Sequence, residues 1–176
     1  MLARRPVALS PAVALRRPLL VAVVSGVALS IAATGRVTPG LVLGTTLTWS
    51  YWVVAQIAVA IVLMRADAAR TVGLARAFDL FFAAHAPWSL AVLAIAAWGP
   101  APFGRPFWPL WPVIIAAPVL TIRAINAFFR EVLELDPRAA RRRTLAHQVL
   151  TCLLLLAYVW MTSSITPRLL KLFAEW

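Results

Sequence analysis

Asp79, His85 and Pro87 stand in "FDLFFAAHAPWSL", residues 78–90, inside an apolar run long enough to cross a bilayer. A carboxylate and an imidazole are common partners in acid–base work, and in hydrocarbon each is costly unless it is paired or faces a polar space. Their spacing argues against a direct relay. Six helical residues separate them by about 120° around the axis and place them about 3 Å and 12 Å past the first embedded turn at Ala77. Asp79 therefore belongs near the membrane surface and His85 near its middle. Pro87 removes the hydrogen bond to the carbonyl of Ala83, so a kink is expected there.

A second set of polar residues lies in the run that ends near Phe129. Arg123, Asn126 and Arg130 fall at i, i+3 and i+7, one helical face, with Arg123 about 9 Å below the same surface. Arginine in a span is costly, by about 2.5 to 3.5 kcal/mol at a helix centre, so this face is expected to turn into the bundle. Arg123 is then expected to bridge to Asp79, a depth difference of roughly 6 Å that a snorkelling guanidinium spans. His147, Gln148 and Thr151 enter at similar depth from a later run, and Gln56 enters from an earlier one, farther from that surface. Asp79, His85, Arg123, Asn126, His147 and Gln148 thus make one predicted polar cluster, serving either to join helices or to bind or translocate something.

Catalytic signatures do not accompany it. The sequence has no H-E-x-x-H, G-x-S-x-G or Walker loop and no paired intramembrane carboxylates, and two histidines with one cysteine cannot supply a usual structural zinc site. No catalytic residue, metal or cofactor is expected. The single cysteine, Cys152, excludes an internal disulfide and is read as inert packing.

The elements that must position these residues are helices. The chain is 62% hydrophobic with only 13% charged residues, too few to give a core of this size a wettable cover. Five apolar windows are long enough to span: about 18–35, 41–64, 77–98, 107–128 and 145–165. The predicted fold is therefore an all-α integral membrane bundle of five transmembrane helices. Open sheets are excluded because their edges stay unpaired in lipid. Breaks carry turn chemistry in "GRVTPG", "GPAPFGRP" and "LDPR". In the last, Asp136 is expected to cap a helix opened by Pro137 that begins in water and becomes embedded near Leu145. The outer half of the second span, "TTLTWSYW", carries small hydroxylated residues suited to close helix approach.

Charge placement sets the orientation and excludes one class of partner. Seventeen basic against six acidic residues give a formal +11. Twelve arginines fall in the N-terminal tail and the second and fourth loops, against four basic residues on the other side. That asymmetry predicts a cytoplasmic N-terminus and an external C-terminus. Trp98, Phe107, Trp108, Trp111 and Trp160 gather at the predicted outer ends, where amphipathic rings settle. Because the charge recurs at alternate loops rather than along one face, nucleic acid is not an expected partner. Arg138, Arg141, Arg142 and Arg143 are expected to contact anionic lipid headgroups, at about 1 kcal/mol each.

The predicted organisation is a basic cytoplasmic tail (1–17), a transmembrane domain (18–165) whose first span is retained rather than cleaved, and an amphipathic interfacial helix (166–176). In that last piece Leu169, Leu172, Phe173 and Trp176 share one side. The expected function is a non-enzymatic accessory or scaffold protein, multi-pass in the inner membrane, with membrane lipid and a membrane-protein partner or further copies of itself as contacts. The alternative is a small oligomeric transporter or channel using the inner cluster. A third reading is a lipid-modifying enzyme with Arg123 on a phosphate and His85 or His147 as base.

Overall fold

The computed structural model describes residues 11–34, 38–98, 106 and 108–164. The regular structure of these residues is helical throughout. In chain order it comprises α1 (Pro11–Thr34), α2 (Pro39–Arg70), α3 (Leu74–Ala84), α4 (Ala86–Trp98), a 3₁₀ turn (Trp108–Leu110), α5 (Trp111–Ala127), a π turn (Phe128–Val132) and α6 (Pro137–Ser164). The predicted interfacial helix at 166–176 lies outside the described residues.

Three helical stretches, Pro39–Arg70, Trp108–Val132 and Pro137–Met161, are long and apolar enough to cross a membrane. The pair α3 and α4, bent by 43° at its break, makes a fourth if it is one broken span. On α6, Leu145, Val149, Leu153, Leu156 and Trp160 are all exposed and recur at intervals of three or four residues, one continuous apolar stripe. Water would not tolerate such a stripe, whereas acyl chains would. These are the helices of a membrane protein.

Local chemistry starts the helices where the sequence indicates. Thr38 caps α2 by accepting from the backbone N–H of Leu41 at 3.3 Å, with Pro39 in the first turn. Asp136 caps α6: its carboxylate accepts from the N–H groups of Arg138 (2.9 Å) and Ala139 (3.0 Å), as the "LDPR" motif predicts. Gly73 joins α2 to α3 at φ 82°, a conformation that costs an L side chain energy.

The break between α3 and α4 falls at His85, between Ala83 and Pro87, where the proline predicts a kink. Here the backbone tightens, with the His85 N–H donating to Phe82 at 3.2 Å. Phe81's carbonyl loses its helical donor and accepts instead from His85 Nδ1 at 2.9 Å. Pro87 is thereby placed in the first turn of a new helix, where its missing N–H is harmless.

Packing follows small residues. Gly26 of α1 meets α2 so closely that an added Cβ would collide with Thr46 Oγ1 and lie 2.6 Å from the Thr46 Cα. The Thr45 hydroxyl lies 2.7 Å from the Gly26 carbonyl across this contact and 2.8 Å from that of Leu41, so its single proton serves one or is shared between them. Thr48 and Ser50 likewise bond their own helix, at 2.9 and 2.7 Å. α1 is thus held against α2, and it also lies along α3 and α4, while α6 packs on α2 and α5. The core centres on Met64, Phe81, Ile125 and Phe129, contributed by α2, α3, α5 and the π turn and all fully buried.

Candidate functional site

Helix periodicity sets each polar residue's depth, but the neighbouring helix determines its partner. Gln56 on α2 and His147 on α6 are 3% and 2% exposed, so each must find its hydrogen bonds inside the protein. They find each other. His147 Nε2 lies 3.0 Å from Gln56 Oε1, and His147 Nδ1 lies 3.1 Å from Gln148 Nε2. An amide oxygen only accepts and an amide nitrogen only donates, so the arrangement selects the neutral imidazole with its proton on Nε2. Gln56 Nε2 then donates to Thr151 Oγ1 at 3.1 Å. The result is a closed chain, Gln148 to His147 to Gln56 to Thr151, crossing from α6 to α2 and back.

His85 joins this network through ring contact. Its ring centroid is 5.3 Å from that of His147, and Phe81 lies against both, at 4.7 and 5.4 Å. Because Nδ1 donates to Phe81, the neutral His85 ring presents a lone pair on Nε2. That atom is buried and has no hydrogen-bond partner among the described residues, and the same holds for Thr121 Oγ1 on α5. Both residues line a cavity of about 210 Å³, together with Gln56, His147 and the indoles of Trp52 and Trp88. An unsatisfied buried polar group costs about 1 to 3 kcal/mol. Two of them on the walls of one cavity suit a small occupant that donates to the imidazole.

The rest of the predicted cluster lies elsewhere. The expected bridge between Asp79 and Arg123 is not formed: Asp79 Oδ1 is 2.7 Å from Arg17 Nε. The reason is lateral position, since α1 runs beside α3 and carries Arg17 to the same level, whereas α5 presents Arg123 on another side of the bundle. Nor does Arg123 turn into the bundle interior. It is exposed and lines an open cleft of about 520 Å³ between α5 and α6, with Asn126, Arg130, Glu131, Arg141 and Gln148. Asn126 Nδ2 donates to Thr144 Oγ1 at 3.2 Å across the cleft floor, and Thr144 donates to Ala140 at 2.9 Å. The six residues predicted as one cluster therefore separate into a histidine network holding His85, His147 and Gln148, an arginine cleft holding Arg123 and Asn126, and an ion pair holding Asp79.

The basic run on α6 is also divided. Arg143 pairs with Asp67 of α2 at 2.9 Å, Arg141 faces the cleft, and Arg138 and Arg142 lie with Asp136 at the exposed start of the helix. Arg17, Thr121, Trp52 and Trp88 were not among the predicted site residues. Depth alone signals Arg17, which stands near the start of its helix as Asp79 does on α3. Among the described residues, no group of three or more His, Cys, Asp or Glu side chains is arranged to hold a metal ion. Cys152 is exposed on α6 rather than packed inside.

Compared with known proteins, the chain matches no family model, no curated relative and no solved structure.

Proposed function

We propose that this chain is a non-enzymatic, multi-pass protein of the inner, cytoplasmic membrane that serves as an accessory or scaffold unit, bound to a membrane partner or to copies of itself. In this reading α1, α2, the broken pair α3–α4, α5 and α6 are five spans, with the N-terminus in the cytoplasm and the C-terminus outside. The alternation of arginine-rich loops supports that orientation. Exposed Trp108, Trp111 and Trp160 fit the outer headgroup level.

One observation carries the scaffold reading: the polar side chains within the helices mostly link one helix to another. Arg17–Asp79 ties α1 to α3, Asp67–Arg143 and Gln56–His147 tie α2 to α6, and Asn126–Thr144 ties α5 to α6. Both aspartates within the helices, Asp67 and Asp79, are engaged by arginines, and among the described residues neither histidine is paired with a carboxylate. The test is native mass spectrometry of the protein extracted with its membrane, together with reporter fusions at each terminus. A defined assembly and an external C-terminus are expected. A lone monomer without a copurifying subunit, or a cytoplasmic C-terminus, would overturn the reading.

A second reading, a small oligomeric transporter, is favoured by the cavity beside His85. Its unpartnered Nε2 and the Thr121 hydroxyl are what a passing hydrogen-bonding solute would use. Solute or proton flux into liposomes that disappears in His85→Ala decides for transport; the scaffold reading expects no flux to lose.

A further inference from the structure

We infer that the cleft between α5 and the first turns of α6 binds the phosphate of an anionic phospholipid, held by Arg123, Arg130 and Arg141. This goes beyond the scaffold reading and narrows headgroup recognition within the run at 138–143 to Arg141, joined across the cleft by Arg123 and Arg130. Three guanidiniums and a single carboxylate, Glu131, line one space of about 520 Å³. The local balance is therefore positive, and a phosphate diester would offset it.

The composition of the walls points to a lipid rather than a soluble anion. Ile122 and Leu145 border the same cleft and are 39% and 65% exposed, giving an acyl chain somewhere to lie next to the charged part. Arg123 stands two turns, about 10 Å, inside Arg130 along the helix. At that depth it needs a counter-charge, and both aspartates within the helices are already engaged, by Arg17 and Arg143. A headgroup phosphate at the edge of the bilayer is the anion available there. Arginine suits the role because its planar fork grips two phosphate oxygens at once. Basic recesses between membrane helices are a recurring way to hold anionic headgroups. The Asn126–Thr144 bond fixes the cleft floor, so the arginines are presented from helices held at a set separation.

The experiment is lipid titration of the purified full chain by native mass spectrometry, using dioleoylphosphatidylglycerol against dioleoylphosphatidylcholine. The glycerol lipid is expected to be retained preferentially. Arg123→Gln and Arg141→Gln should each weaken that retention about fivefold. Arg76→Gln, which removes an equal charge from an exposed position on α3, should leave it unchanged. Circular dichroism identifies any variant that fails to fold, and Arg141→Gln, at an exposed position near the start of α6, carries the test should Arg123→Gln do so. Equal retention of the two lipids would overturn the proposal, as would a loss with Arg76→Gln matching that with Arg141→Gln. Displacement of the lipid by millimolar inorganic phosphate would identify a soluble-anion site and also overturn it.

Discussion

The histidine network and the arginine cleft meet at Gln148, whose side chain donates to His147 and also forms part of the cleft wall. They handle polarity in opposite ways. The network is closed and neutral: Gln56 and His147 use their groups on one another and on α6, in surroundings where an orphaned donor would be costly. The cleft is open and charged, with three arginines around one carboxylate, and it depends on something outside the chain for its balance. Gln56 and His147 are satisfied by each other and by α6, whereas Arg123, Arg130 and Arg141 open onto the cleft. Removing a residue should therefore destabilise the network and alter only binding at the cleft.

The largest effect is expected for His147→Leu, which leaves Gln56 Oε1 without its partner in the interior. Unfolding titrations in lipid–detergent mixtures should show a loss of about 1 to 3 kcal/mol, partly recovered when Gln56→Leu is added. Full stability in the single variant would break the contrast between the two regions. Gly26→Leu should separate α1 from α2 and cost about 1 to 3 kcal/mol through overpacking, read by the same titration. A smaller term is expected from a double-mutant cycle on Arg17 and Asp79, with a coupling of about 0.5 to 1 kcal/mol because Arg17 is half exposed. The matching cycle on Arg123 and Asp79 should give a coupling near zero; a sizeable value would restore the bridge that the structure does not form. Arg141→Gln should shift stability by less than about 0.5 kcal/mol in phosphatidylcholine, since it faces an open cleft. Finally, Cys152 is the chain's single cysteine and is exposed on α6. A charged maleimide should label it slowly in liposomes and readily in denaturing detergent, and rapid labelling in liposomes would argue against α6 facing hydrocarbon.

Much of the helix pattern was legible beforehand. The apolar window near 41–64 lies within α2, residues 108–128 of the window near 107–128 lie within the stretch from Trp108 to Val132, and Asp136–Pro137 marks the start of α6. These features depend on residues near one another in the chain, where capping, turn chemistry and apolar length act locally. The break at His85 was harder to see, because proline fixes that a helix must yield nearby while the imidazole's bond to Phe81 settles at which residue it does. The π turn at Phe128–Val132 carried no signal in composition at all.

By itself the sequence determined that the chain is helical and apolar enough for a membrane, and how deep along its helix each polar side chain stands, because rise per residue is nearly invariant. Only the tertiary structure decided the partners. Depth confines Asp79 to a level at which both Arg17 and Arg123 are within reach, and the choice between them rests on which helix lies alongside. Close packing of Gly26 on α2 helps bring α1, and with it Arg17, against α3. That left Arg123 on the seam with α6, and it brought two histidines sixty-two residues apart in the chain to 5.3 Å between ring centroids.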